Sequence, residues 1–345
     1  MKKFASRRQS GLAAVFGIPL LIIAAIVLIP IIAINVTPAP GSLLIRMIFN
    51  MPPQPPPPDL YYSDQVQVTR NIKFGDAKDE VLDLYQPKAP KSASPLIIWV
   101  HGGAFVGGDK RDVAFFAEAL AYNGYAVACI NYTRAPEGKY PTPVLQTGEA
   151  YTFLTKSFDA KAAKIDTGKF YIAGDSAGAH IAAQFSILQS NPAYRKSFME
   201  THGNPAFPDV ISSKIFRGAL LFCGPYSVER MANVSNPLMK FLVSQTGWAY
   251  FGSKDFTSQP VAIEANLIQH VTKDFPPSFV TDGNVMTFPE HAEDLIKELK
   301  AKGVFVDELF FDGELEIVEH EFQFDLLEPA GRLALERTLA FLRKN

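Results

Sequence analysis

Apolar residues follow three patterns along this chain. The first is one unbroken run: no charged residue occurs from Gly11 to Val36. Such a run exceeds the roughly 20 residues a helix needs to cross a bilayer. Pro19 and Pro30 interrupt it, but membrane helices tolerate proline where local adjustments satisfy the freed carbonyls. The second pattern is a set of short segments that read as strands: Leu96–Val100, Tyr125–Asn131, Phe170–Ala173, Ala219–Cys223, Ser278–Thr281 and Val304–Phe311. An opening pair, Val66–Phe74 and Val81–Tyr85, precedes them, with Gly75-Asp76 in the turn. The third pattern has helical spacing. Val144, Gly148, Tyr151, Leu154 and Phe158 mark one helix; Ala292, Leu295, Ile296 and Leu299 mark another that stops at Gly303. Alternation of strand and helix predicts an α/β fold, a mostly parallel sheet with helices on both faces.

Lys2, Lys3, Arg7 and Arg8 precede the apolar run. Positive charge on that flank predicts a cytoplasmic N-terminus over residues 1–10, an uncleaved anchor over 11–36 and a folded part outside the cell membrane. The competing reading is a cleaved signal peptide. Its apolar region is usually shorter, and Thr37-Pro-Ala-Pro-Gly41 makes a poor cleavage site. Residues 37–58 then read as a proline-rich linker. Within it Gly41 to Ile48 is a short apolar piece suited to the membrane interface, and Met51 to Pro58 is a stiff polyproline spacer or a ligand for a proline-binding partner.

Residues 59–345 suit one α/β domain with an insertion. Pro225 to Phe275, rich in aromatics and methionine, fits no simple crossover. It reads either as a cap over the site or as ordinary helices packed on the sheet.

Charge excludes one class of partner. The first 58 residues carry five cations and no anion, which leaves 28 cations against 35 anions in the rest. An acidic domain has no footprint for nucleic acid. Two cysteines, Cys129 and Cys223, fall on expected strands that are not expected to be neighbours, so no disulfide is predicted.

The chemistry concentrates in two glycine-rich corners. Phe170-Tyr-Ile-Ala-Gly174-Asp-Ser176-Ala-Gly178 is a strand breaking into Gly-x-Ser-x-Gly and then opening a helix. A corner this tight strains its central residue and requires small neighbours two positions away on each side. Ser176 is therefore the candidate nucleophile, at a helix N-terminus that favours an adjacent oxyanion. Pro95-Leu-Ile-Ile-Trp-Val100 runs into His101-Gly102-Gly103-Ala104, where bare backbone N–H groups could approach such an oxygen. Gly103, Ala104 and Ala177 are the candidate donors of an oxyanion hole.

These motifs, with Asn131-Tyr-Thr-Arg134-Ala-Pro-Glu137, Tyr140-Pro141 and a late His320, resemble the α/β-hydrolases, and within them the esterases similar to hormone-sensitive lipase. The resemblance covers about residues 80 to 345. It departs from the family at Ala104, where the family has a third glycine, and in the order of Tyr132-Thr-Arg134. It implies the α/β-hydrolase fold and a chain order of nucleophile, acid, then histidine.

His320 lies between the last strand and the last helix, and His320-Glu-Phe322 resembles the family's His-x-Phe, so His320 is the candidate base. His101 is expected to brace the oxyanion loop and His180 to pack. His202, His270 and His291 lack a motif, and no pair has metal-site spacing. The acid is the weak point of the resemblance, because the family's aspartate slot holds Met286. Asp282 is the first replacement and Glu290 the second. The expected activity is ester cleavage through an acyl-enzyme, without a cofactor, on a small or surface-bound ester. Amide cleavage by the same parts, and a binding module that has lost catalysis, are the alternatives.

Overall fold

The computed structural model describes residues 28–29, 32–49, 54–313 and 316–345. Eight strands form one sheet: β1 Val66–Lys73, β2 Val81–Pro87, β3 Ser94–Val100, β4 Ala126–Ile130, β5 Ile165–Asp175, β6 Phe216–Phe222, β7 Ser278–Thr281 and β8 Val306–Leu309. Their order is β1-β2-β4-β3-β5-β6-β7-β8. β2 pairs antiparallel with β1 and β4, and every pair from β4 to β8 is parallel. The helices are α1 Ala39–Ile48, α2 Ala114–Tyr122, α3 Thr142–Thr152, α4 Ala177–Ser190, α5 Pro192–His202, α6 Val228–Ala232, α7 Pro237–Phe251, α8 Pro260–Glu264, α9 Pro289–Ala301 and α10 Pro329–Lys344.

Side chains of successive strand residues point to opposite faces, which divides the core in two. Ile98, Ile172 and Leu221 pack with Val144 of α3 and with Ala179 and Phe185 of α4. Ile97, Trp99 and Phe222 pack on the other face with Phe116 of α2 and Phe341 of α10. Both faces being covered explains why the interior strands read as continuous apolar runs. α4 is buried along its whole length between sheet and neighbouring helices. The sequence motifs therefore fall together: β3 runs into His101, β5 into Ser176 and β7 into Asp282, all at carboxyl ends of parallel strands. Cys129 and Cys223 are both buried and free.

At the N-terminus one expectation falls mostly outside the described residues and another changes. The expected cytoplasmic N-terminus, 1–10, and residues 11–27 and 30–31 of the expected anchor lie outside the described residues, and among the described residues no helix is long and apolar enough to cross a membrane. The expected linker, 37–58, carries helix α1, which is seated on the domain. Ile45 is fully buried, and Gly41 lies so close to Gln245 of α7 that an added Cβ would fall 2.2 Å from its Oε1. The prolines of 37–58 suggest a linker and its apolar piece Gly41 to Ile48 an interfacial segment; of that piece, Leu43, Leu44, Met47 and Ile48 are the residues α1 leaves exposed.

Between β6 and β7 the region expected as a cap is made of α6, α7, α8 and short 3-10 turns. Part of it packs as ordinary core: Tyr250, Phe251 and Phe256 are buried. Part reaches the site, since Tyr250 stacks on Phe105 of the oxyanion loop at 4.1 Å between centroids.

Candidate active site

Ser176 occupies the corner between β5 and α4 with φ 50° and ψ −120°. A non-glycine residue holds such a conformation only where its surroundings over-determine it. Its N–H donates to Phe222 O on β6 at 2.8 Å. A Cβ on Gly174 would fall 2.3 Å from Gly178 O, and one on Gly178 only 2.0 Å from Val100 O. The motif glycines are thus required by contact with backbone, as the sequence implied.

His320 Nε2 lies 2.9 Å from Ser176 Oγ. The other ring nitrogen, Nδ1, lies 2.8 Å from Thr287 Oγ1, and that hydroxyl donates to Asp282 Oδ1. Asp282 Oδ1 also accepts from Gly283 N–H at 2.8 Å. With Thr287 donating to the carboxylate, its oxygen accepts from Nδ1–H. This tautomer leaves the Nε2 lone pair facing the serine hydroxyl. The histidine and carboxylate expected from sequence are both present, but the link between them is indirect. Thr287 was missed because nothing in its neighbourhood marks it; Met286, the residue in the family's acid slot, takes a left-handed φ of 53°, and Thr287 follows that turn. Glu290, the second candidate acid, is exposed in the first turn of α9 and makes no contact with His320.

Burial sets the electrostatics. It pushes the Asp282 carboxyl up to about 7, against the hydrogen bonds from Thr287 and Gly283 that favour its charge. Burial likewise lowers His320 to about 4, so the imidazole is neutral and able to accept a proton at physiological pH. Cys223 Sγ, an Asp282 oxygen and a His320 nitrogen lie within 4.8 Å of one another, the one grouping of possible metal ligands among the described residues. Burial pushes the Cys223 thiol well up, toward its neutral form. Nε2 of His320 is in any case engaged with Ser176.

The oxyanion loop lies against the nucleophile. A Cβ at Gly102 would come 3.0 Å from Ser176 Cβ. Gly103, Ala104 and Phe105 all have positive φ, at 103°, 53° and 63°. The N–H groups of Gly103, Ala104 and Ala177 donate to no described residue. Gly102 N–H and Trp99 Nε1–H donate to the two oxygens of the buried Asp175 carboxylate, both at 2.7 Å. Burial raises Asp175 to about 6 and pushes its neighbour Glu321 well above the ordinary carboxyl range.

His101 and His180 play the bracing and packing roles expected of them. His101 Nδ1 bonds Gly102 O at 2.7 Å and its ring stacks on Tyr132. His180 Nδ1 bonds Pro225 O at 2.8 Å, and burial holds both imidazoles near 4. The Asn131–Glu137 segment serves the loop too, through Arg134 to Gly108 O at 2.9 Å and Ala135 N–H to Phe105 O at 2.9 Å. His202 pairs with Glu264 at 2.9 Å, His270 packs on Tyr194, and His291 Nδ1 accepts from Ser227 N–H. None of these three reaches Ser176.

A nucleophile elbow, an imidazole on it and a free-donor loop beside it agree with the match of the BD-FAE family model to residues 82–294. The chain belongs to the BD-FAE family. The BD-FAE match takes in Ser176, Asp282, Thr287 and the oxyanion loop; His320 and α1 lie outside it. Among curated proteins, the chain is 38% identical over 173 residues to one of Oryza sativa subsp. japonica named "Probable isoprenylcysteine alpha-carbonyl methylesterase ICME", covering 50% of this chain and 39% of the relative. It is 24% identical over 259 residues to "Probable carboxylic ester hydrolase LipM" of Mycobacterium tuberculosis, covering 72% and 54%. The chain thus spans about two fifths of the rice relative's length. Among solved structures, esterase B of Lactobacillus rhamnosis superposes with a TM-score of 0.68 at 19% identity, covering 82% of this chain and 88% of that one. The α/β-hydrolase fold expected from the resemblance is the fold of this BD-FAE member.

Proposed function

We propose that this protein is a serine carboxylesterase. One observation carries the reading: Nε2 of His320 sits 2.9 Å from the hydroxyl of Ser176, which a strained corner presents at the end of β5. His320 takes the Ser176 proton as Oγ attacks the ester carbonyl. Gly103, Ala104 and Ala177 donate to the oxyanion, and Asp282 acts through Thr287 to hold the tautomer and stabilise the imidazolium. His320 then protonates the leaving alcohol. Water, deprotonated by the same imidazole, releases the acyl group. A cavity of about 280 Å³ between Gly102, Gly103, His320, Phe49 and Phe324 suits a small acyl or alkoxy group. The methylester in the rice relative's name would fit within it. A wider groove of about 1000 Å³ opens beyond Thr287 and Phe288 toward α6 and α9, and we assign it to the rest of the substrate.

The reading includes attachment to the cell membrane through residues 11–36, with the catalytic domain outside. The uncharged run and the exposed Leu43, Leu44, Met47 and Ile48 of α1 support it. Carbonate extraction of membranes from expressing cells would leave the protein in the pellet; release into the supernatant would rule attachment out.

The ester reading is tested by incubating the full chain with a fluorophosphonate probe and a short nitrophenyl ester beside Ser176→Ala. Labelling and turnover that vanish in the variant support it. No labelling of the wild type leaves the fold as a binding module.

A further inference from the structure

The oxyanion loop is held from outside the hydrolase motifs. Arg46, in the last turn of α1, donates from Nε to Val106 O at 2.6 Å and from Nη2 to Ala135 O at 2.7 Å. Its guanidinium also grips Glu137, through Nη1 at 3.1 Å and through Nη2 in an ion pair. Val106 belongs to the loop itself, and Ala135 N–H donates back to Phe105 O at 2.9 Å. One planar group therefore closes a ring through Phe105, Val106 and Ala135, directly after the positive-φ residues Gly103 and Ala104. Arginine suits this place because its fixed fork can serve two carbonyls and a carboxylate at once.

The helix that carries Arg46 is seated. Ile45 is fully buried, Gly41 abuts Gln245, and a Cβ on Gly107 would lie 3.3 Å from Phe49 Cβ and 3.5 Å from Arg46 Cα. Ile48 and Phe49 complete the wall of the cavity that faces Gly103 and His320. α1 and Phe49 lie upstream of the family match, which begins at residue 82. We propose that Arg46 is a positioning residue for the oxyanion loop, so that α1, which sequence assigns to a linker, is a working part of the ester-cleaving site. The inference rests on the esterase reading. Without the guanidinium, the carbonyls of Val106 and Ala135 lose their partner and the strained residues just before Val106 can relax, turning the donors of Gly103 and Ala104 away from the oxyanion.

The test compares full-length wild type, Arg46→Ala and Arg46→Lys on a short nitrophenyl ester in detergent. Loss of one oxyanion donor lowers kcat by about 100–1000-fold, and a displaced loop should cost part of that. Arg46→Ala is expected to lower kcat by about 10–100-fold with KM nearly unchanged. Millimolar guanidinium should restore part of the loss in that variant and none in wild type. Arg46→Lys, with a point charge for a fork, should fall between. A kcat in Arg46→Ala close to wild type would overturn the proposal, as would a loss that guanidinium leaves untouched. If Arg46→Ala does not fold, Arg46→Lys decides: full wild-type kcat overturns the proposal and an intermediate kcat supports it. Wild-type turnover that disappears in Ser176→Ala keeps the esterase reading whatever Arg46 does; a wild type without turnover removes both.

Discussion

Between His320 and Asp282 stands the hydroxyl of Thr287, 2.8 Å from Nδ1 of the imidazole and hydrogen-bonded to the carboxylate. The acid therefore acts on the base through a neutral group. Thr287 must donate to Asp282 for its oxygen to accept from Nδ1–H, so the charge on Asp282 selects the tautomer at one remove. Replacing Thr287 by valine keeps its shape and removes the relay. We expect kcat to fall by about 10–100-fold with KM little changed, a milder loss than the ~10⁴ seen when an orienting carboxylate is removed from such a triad. Thr287→Ser should keep most activity. Steady-state kinetics of the two variants decide the point, and an unimpaired Thr287→Val would show that the hydroxyl is a bystander.

The pH profile follows from the same three residues. Catalysis needs His320 neutral and Asp282 ionised, and both conditions are met by losing a proton, so activity rises with pH. His320, held down near 4, is neutral well before Asp282, pushed up to about 7, ionises. A plot of kcat/KM against pH should thus climb through about 7 and level off above it. In Asp282→Asn that limb should vanish, leaving a lower plateau and a single fall near 4. Survival of the neutral limb in Asp282→Asn would assign it to another group.

Glu290 is exposed in the first turn of α9, and His320 Nδ1 is engaged by Thr287 instead. Glu290→Gln should change turnover less than about twofold, since surface substitutions away from a site seldom exceed ~0.5 kcal/mol. A loss comparable with Asp282→Asn would mean that α9 moves to complete the site.

Gly178→Ala should be severe. Its new Cβ would meet Val100 O at 2.0 Å, a backbone atom in the middle of the sheet with no freedom to move away. Separating α4 from β3 is expected to cost about 3 kcal/mol or more, read as a lower melting temperature or as insoluble protein. A variant that melts with the wild type would contradict this packing.

Much of this site is legible in the sequence because Ser176, Gly174 and Gly178 encode a backbone requirement: the corner works only where bulk is absent, and the contacts of both glycines bear that out. His320 follows from chain order. Thr287 is not legible in this way. Its role depends on the left-handed turn at Met286 and on the distance from Asp282 to His320, which the intervening loop sets. The fold was read well in its strands, since interior positions covered on both faces leave uninterrupted apolar runs. α1 was not. The buried Ile45 sits among exposed Leu43, Leu44, Met47 and Ile48, and the partners of Arg46 lie 60 and 89 residues downstream, beyond the reach of local pattern.

Trp99 offers a last consequence. It is one of two tryptophans in the chain, fully buried, and its indole N–H is bonded to the carboxylate of the residue just before the nucleophile. Whatever alters Asp175, whether a proton arriving or an adduct forming next door on Ser176, alters the polarity felt by that chromophore. On the esterase reading, Trp99 is thus a built-in optical gauge beside the nucleophile, and stopped-flow indole emission should change as substrate is turned over.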